Sequence, residues 1–301
     1  MGTVVKRILD CKRSDFEKMS SQDLFESIKF ADGRTIMQQV YGIGPPLVDE
    51  VSNVEIAAAF GADLIELVGY DPNDPKVVGL SKELTGSKGD SITINDVKKF
   101  VGRPIGAMIT GITKLEEPIE KIAKNLVKQG SDFISIIEGS NNYISKAVKK
   151  VKNVVKDETL VIAGNAHVIW WEDWGRKEQY KKVLTPHAVR KFIEAGADIV
   201  RIPGAGTTPG FGVDYATELI DIVHESGKLA LTNVCTSQEG SDLDTIRNIA
   251  LYNKMAGSDI HHISYTGYLA SVAIPQIIMG YSIAIRGRHH TYSRMAWSLK
   301  R

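Results

Sequence analysis

The sequence predicts a (β/α)8 TIM barrel, and three observations carry that prediction. A short phrase recurs four times: Gly61-Ala62-Asp63-Leu64, Gly130-Ser131-Asp132-Phe133, Gly196-Ala197-Asp198-Ile199 and Gly257-Ser258-Asp259-Ile260. Each copy closes a helical pattern and opens an apolar run. Gly is the usual residue after a last helical turn, because it enters the left-handed region without a Cβ penalty. A run of Ile, Leu and Val reads as a parallel strand buried on both faces. The copies lie 69, 66 and 61 residues apart, which is too long for a solenoid repeat and fits two βα units each. Four copies therefore give eight strands.

In chain order, a helix at Gln22–Phe30 precedes the barrel and caps its bottom. Odd strands read as Arg34–Tyr41, Arg103–Thr110, Leu160–His167 and Leu229–Thr236, and the even strands follow the four phrases. Between them lie helical patterns at Val54–Phe60, Ile94–Phe100, Pro118–Lys128, Ile144–Val155, Pro186–Ala195, Asp214–His224, Leu243–Met255 and Leu269–Ala284. Two of these open with explicit start signals: Thr185-Pro186, a cap followed by proline at the first helical position, and Ser241-Asp242. Alternating strands and helices imply parallel crossovers. Such barrels need about 250 residues, so 301 leaves room for the capping helix and a basic C-terminal tail in one domain, residues 1–301.

Composition narrows the function classes. With 43% hydrophobic residues the chain can bury a full core, and its net charge of +1 gives no general reason to expect nucleic acid or a membrane surface. No apolar run is long enough to span a bilayer, and Met1–Cys11 is too polar for a signal peptide. Cys11 and Cys235 are far apart and not in metal-ligand spacing. Two isolated thiols read as reduced, in a cytoplasmic protein. The tail from Ile285 to Arg301 carries an aromatic stripe; Tyr292, Met295 and Trp297 are expected to dock on the barrel or on a second copy, in a homo-oligomer, while the arginines meet carboxylates or an anion.

The repeat also says which way side chains point. The second and fourth positions after each Asp are Ile65/Leu67, Ile134/Ile136, Val200/Ile202 and His261/Ile263, almost all aliphatic, as the face under the helices should be. The third position then points inward, and it holds Glu66, Ser135, Arg201 and His262. An interior layer takes four residues from alternate strands and is ordinarily Val, Ile or Leu. Here it holds an acid, a hydroxyl, a guanidinium and an imidazole. Two readings stand: a polar network that only holds the barrel together, or the floor of an active site, where buried charges shift pKa values.

Catalytic groups of such barrels sit at the C-terminal strand ends. No lysine lies in any strand or at its C-terminal end, which argues against a Schiff-base aldolase. Acid–base chemistry remains, with Glu138 and His167 as the working pair above Glu66, Arg201 and His262. Glu66, Asp71 and Glu138 are hard oxygen donors from neighbouring even strands, a candidate Mg²⁺ or Mn²⁺ set. For a small anionic metabolite, two loops supply glycines and hydroxyls: Gly204-Ala205-Gly206-Thr207-Thr208 after the sixth strand and Thr236-Ser237-Gln238-Glu239-Gly240 after the seventh, with Asn165 and Asn233 beside them. Glu239 is awkward beside an anion. The 17-residue loop Val168–Leu184 carries Trp170, Trp171 and Trp174 and reads as a lid or a subunit contact.

Four phrases resemble a known family: Asn53-Val54-Glu55-Ile56-Ala57-Ala58-Ala59-Phe60-Gly61-Ala62-Asp63, Thr236-Ser237-Gln238-Glu239-Gly240, Ile246-Arg247-Asn248-Ile249-Ala250-Leu251, and Ser282 through Tyr292 with Arg286-Gly287-Arg288-His289-His290. They are similar to an uncharacterised bacterial barrel family with provisional labels such as phosphoenolpyruvate phosphonomutase-like or haloacid dehalogenase-like hydrolase. The resemblance spans nearly the whole chain and implies a fold rather than a reaction. The first label implies acidic metal-binding motifs and a catalytic loop that have no placed counterpart here. The second needs an Asp-x-Asp motif near the start, and Asp10 is followed by Cys11-Lys12. The sequence therefore points to a lyase or isomerase acting on a small phosphorylated or acidic metabolite. A non-catalytic ligand-sensing or assembly barrel with a structural polar core is the alternative.

Overall fold

The computed structural model describes residues 5–86, 91–109, 118–137, 139–165, 184–266 and 271–297. Eight parallel strands close in chain order: β1 (Thr35–Tyr41), β2 (Leu64–Val68), β3 (Ile105–Met108), β4 (Phe133–Ile136), β5 (Leu160–Gly164), β6 (Ile199–Pro203), β7 (Leu229–Val234) and β8 (Ile260–Ile263), which pairs back onto β1. Helices α1 (Arg13–Phe16) and α2 (Ser21–Lys29) precede the barrel. Around it run α3 (Asn53–Ala59), α4 (Lys82–Thr85), α5 (Ile94–Val101), α6 (Ile119–Lys128), α7 (Asn141–Val155), α8 (Pro186–Glu194), α9 (Val213–Glu225), α10 (Leu243–Met255) and α11 (Pro275–Ala296). The start signals act as expected: Thr185 accepts from the N–H of Ala188, and Asp242 accepts from those of Asp244 and Thr245.

Alternation divides the core in two. Ile65, Leu67, Ile134, Ile136, Val200 and Ile202 pack outward against the helices. Inside, Met37, Leu64, Phe133, Leu160, Ile199 and Ile260 meet Ile8, Leu24, Phe25 and Ile28, so the N-terminal segment and α2 plug the barrel bottom. Each such side chain contributes about 1.5–3 kcal/mol on burial.

The four repeat aspartates make one contact set four times. Asp63, Asp132, Asp198 and Asp259 each donate a backbone N–H to the carbonyl of Ile36, Ile105, Val161 and Ala230, respectively. In return, each carboxylate accepts the N–H of that same residue, at 2.8–3.0 Å. This double bond pins an even strand to the odd strand before it. A cation from the helix layer completes each clasp: Lys98 on α5 at 2.7 Å from Asp132, Lys152 on α7 at 2.8 Å from Asp198, and His224 on α9 at 2.8 Å from Asp259. Asp198 also has Lys228 at 3.5 Å, and Asp63 receives two cations, Arg286 and Arg294 of α11.

The C-terminal tail differs from expectation. Its helix begins at Pro275 and runs through the basic segment to Ala296, broken at Gly287, where φ is +72°. Ser282 and Thr291 lie nine residues apart, about 13 Å on a straight helix, yet their hydroxyls meet at 2.9 Å. The chain thus folds back at Gly287, a position that favours glycine, and Arg286 and Arg294 converge on one carboxylate. Strands β3, β5 and β7 end short of the predicted limits, and Thr110 and His167 lie outside the described residues. Among those residues, no helix is long and apolar enough to cross a membrane.

Candidate active site

The third positions after the repeat aspartates meet inside the barrel. Glu66, Ser135, Arg201 and His262 are fully buried, and Glu66 is their hub. Its Oε1 accepts from Arg201 Nη2 at 2.6 Å and from the Ser135 hydroxyl; its Oε2 bonds His262 Nε2 at 3.0 Å and accepts from Gln39 Nε2 at 2.7 Å. Two bonds at each oxygen fill the capacity of a carboxylate. Burial would push the Glu66 pKa up, but the charges of Arg201 and then His262 outweigh it and hold the group well below the ordinary carboxylate range. Gly164 of β5 is what lets β6 approach here: a Cβ on it would lie 2.1 Å from the carbonyl oxygen of Arg201.

Arg201 is asymmetric. Nη2 is bound to Glu66, whereas Nε and Nη1 are buried without a hydrogen-bond partner among the described residues. Asn233 lies on the same side: it pairs in register with His262, donates to Cys235 Sγ at 2.8 Å, and has its Oδ1 likewise unpartnered among those residues. Burial, with the Glu239 charge adding to it, pushes the Cys235 thiol up to about 12, so it stays protonated and is no nucleophile at neutral pH.

The loops hold a different surprise. After β6, the backbone donors that an anion would need are bound internally: Gly204 N to Asn233 O, Ala205 N to Asn253 Oδ1, Gly206 N to Phe211 O and Thr207 N to Gly204 O, with the Thr207 hydroxyl on Gly204 O at 2.7 Å. Thr208 is buried against the Thr207 hydroxyl, and the Thr236 hydroxyl reaches Thr207 O and Gln238 Oε1. Asn165 ties β5 to the preceding loop through Gly139 O. Ser237 is exposed and left-handed, at φ +83°. The Gly204 to Thr207 backbone donors and the Thr207 and Thr236 hydroxyls are thus engaged within the protein.

A family model for a domain of unknown function, DUF7916, matches residues 9–301. The chain belongs to the DUF7916 family. No curated protein matches it. Among solved structures it is similar to tryptophan synthase from M. tuberculosis, with a TM-score of 0.52 at 11% identity over 88% of this chain and 98% of that one. It is also similar to 2,3-dimethylmalate lyase, described as a member of the PEP mutase/isocitrate lyase superfamily, with a TM-score of 0.48 at 14% identity over 82% of this chain and 81% of that one. The YdjI aldolase of Escherichia coli K12 aligns at 0.46 and 11% identity over 79% and 78%. At these identities the likeness is one of fold. It lends the provisional labels no support as reactions.

Of the candidate metal set in this DUF7916 chain, Glu66 has both oxygens engaged and stands beside the Arg201 cation, and Glu138 lies outside the described residues. Asp71 is exposed and its Oδ1 accepts the N–H of Asn73. Among the described residues no group of three His, Cys, Asp or Glu could hold a metal ion. Glu138 and His167, the working pair of the sequence reading, lie outside the described residues, as does most of the tryptophan loop. Of the four helix and tail histidines, His224 bonds Asp259, consistent with a structural role. His261 faces outward, with Nε2 at 3.0 Å from Gly33 O and Nδ1 at 3.2 Å from the Tyr281 hydroxyl; burial pushes its pKa down to about 4, so it is neutral. One residue of interest escaped the sequence reading as a functional group: Glu239, buried in the loop after β7.

Proposed function

We propose that this chain is an enzyme, a lyase or isomerase, acting on a small anionic metabolite held at the C-terminal end of the barrel by the free edge of Arg201. The uncommitted Nε and Nη1 of that buried guanidinium carry the reading. A buried donor left unmade costs about 1–3 kcal/mol, and the planar fork of Arg matches a carboxylate or phosphate in a bidentate pair. Glu66, itself held by His262, fixes Nη2 of the guanidinium, so the edge is already oriented when ligand arrives. The anion is therefore assigned to Arg201 rather than to the glycine loops.

Acid–base work falls to His167 and Glu138, whose sequence positions follow β5 and β4. No lysine lies in any of the eight strands, which favours acid–base over Schiff-base chemistry. Any Mg²⁺ or Mn²⁺ would be held nearer Asp71 and Glu138 than Glu66. A second reading, a ligand-sensing or assembly barrel, is favoured by one observation: Glu66 is as fully satisfied as a purely structural hub would be.

The discriminating experiment is a thermal-shift screen of phosphorylated and dicarboxylic metabolites with and without Mg²⁺ or Mn²⁺. A ligand at a hundred times its Kd adds about 2.7 kcal/mol. A hit followed by turnover supports the enzyme; a hit that is bound and never converted supports the sensor. With an assay in hand, His167→Ala and Glu138→Ala should each lower kcat with little change in melting temperature, and full activity in both would remove their acid–base roles.

A further inference from the structure

Glu239 is a buried acid with nothing to neutralise it. It sits in the turn Gln238–Gly240 at the C-terminal end of β7, 7% exposed, and no Lys, Arg or His pairs with it among the described residues. Its Oε2 has no hydrogen-bond partner among those residues. The turn that buries it is entered through Ser237, a serine in the left-handed region at φ +83°, a conformation that costs of order 1–3 kcal/mol and is found where local geometry serves a site. Its place relative to the floor is set by the sheet: the turn follows β7, which pairs in parallel with β6, the strand of Arg201. Glu239 thus follows the strand next to that of Arg201, and the charges of both act on the Cys235 thiol.

An ionised carboxylate there would repel the anion that Arg201 invites. A neutral one would do the opposite, because a carboxylic acid kept protonated by an apolar site donates a hydrogen bond. We propose that Glu239 is the hydrogen-bond and proton donor of this site, presented to the far end of an anionic substrate whose near end lies on Arg201. This rests on the Arg201 reading and adds to it the substrate class: a small acid with a second oxygen, or a carbon bearing developing negative charge, beyond the first anionic group. In the transfer, the Glu239 O–H bond breaks and its proton bonds to that atom. Glu239 is left as a carboxylate and is reprotonated from water. Burial pushes the Glu239 pKa up, against the pull of the backbone N–H groups of Glu239 and Ser237, which agrees in direction.

The test uses ethane-1,2-disulfonate, a dianion that does not titrate between pH 5 and 9, with binding to the full chain followed by calorimetry. The groups that could impose a pH dependence in that quarter are Cys235 on the same strand end, His262 on β8 and Asp242 at the start of α10, besides Glu239 itself. Wild type should lose about tenfold in affinity as Glu239 ionises. Glu239→Gln, which still donates a hydrogen bond, should lack that loss and retain only whatever Cys235, His262 and Asp242 contribute. Identical pH profiles in wild type and Glu239→Gln overturn the proposal and leave the Arg201 reading standing; no binding of the dianion to wild type at any pH overturns both. Should Glu239→Gln not fold, Glu239→Asp keeps a titrating acid, and a flat profile in it and in wild type overturns the proposal equally.

Discussion

Two buried arginine–carboxylate networks stand at different heights in the same barrel, and they are finished differently. At the bottom, Arg286 uses every nitrogen: Nε on Ser282, Nη1 on Asp63, Nη2 on the carbonyl of Gly61. Arg294 donates to the carbonyls of Cys11 and Ile8 and lies 4.7 Å from the Trp297 ring, while its Nε stands 2.7 Å from Asp63 as an ion pair without hydrogen-bond geometry. In the middle, Arg201 commits one nitrogen of three among the described residues. The bottom network closes the chain on itself, joining N-terminal segment, β2 and α11. The middle one is closed on its carboxylate side and open on its guanidinium side. On the function proposed above, that contrast separates a structural ion pair from one prepared for a ligand.

The largest expected effect is at the closed network. Asp63→Ala leaves Arg286 and Arg294 buried without their common carboxylate and unties Ile36 of β1. It should destabilise by about 3–5 kcal/mol, read as a lower denaturant midpoint with an unchanged slope. A loss below about 1 kcal/mol would mean that the surrounding carbonyls suffice and that the network is not what closes the barrel.

The open network should respond to ligand more than to folding. Arg201→Lys keeps a charge beside Glu66 but removes the planar edge. Any ligand found for wild type at a hundred times its Kd should lose most of its stabilisation of about 2.7 kcal/mol, while the ligand-free melting temperature moves less than in Asp63→Ala. If Arg201→Lys binds as wild type does, the open edge is not the anion site, and the contrast between the two networks has no functional content.

The barrel and the inward set were legible because both follow from short-range rules. Gly-x-Asp marks each helix end and strand start, and alternation then places Glu66, Ser135, Arg201 and His262 without any tertiary knowledge. What could not be read was partner choice. Lys98, Lys152, His224, Arg286 and Arg294 reach the aspartates from helices 34 to 231 residues away, and nothing local distinguishes them from other surface cations. The partners of the Gly204–Thr208 loop were hidden for a related reason: sequence shows donors, and the acceptors that use them include Asn233, Asn253 and Phe211. Glu239 was visible as a residue but not as a buried one, because its burial follows from the turn at Ser237.

The smallest expected effect lies at the fourth clasp, where the cation is a histidine. His224 is exposed, and its hydrogen bond to Asp259, more than the opposing desolvation, raises its pKa above the ordinary 6.5. A pKa raised on folding means that the folded state binds the proton more tightly than the unfolded one. The stabilisation is therefore fully present below pH 6.5 and is lost as pH rises through the folded value. The other clasps use Lys or Arg and should not change across that window. Because His224 is partly solvated and salt screens such pairs, the effect should be small and should shrink further at high ionic strength. It would appear as a slight fall in melting temperature on going from pH 6 to pH 8 that His224→Gln removes. A fall of the same size in His224→Gln would place the titrating group elsewhere and leave Asp259 held by its strand bonds alone, the weakest of the four clasps in a stronger sense than the distances suggest.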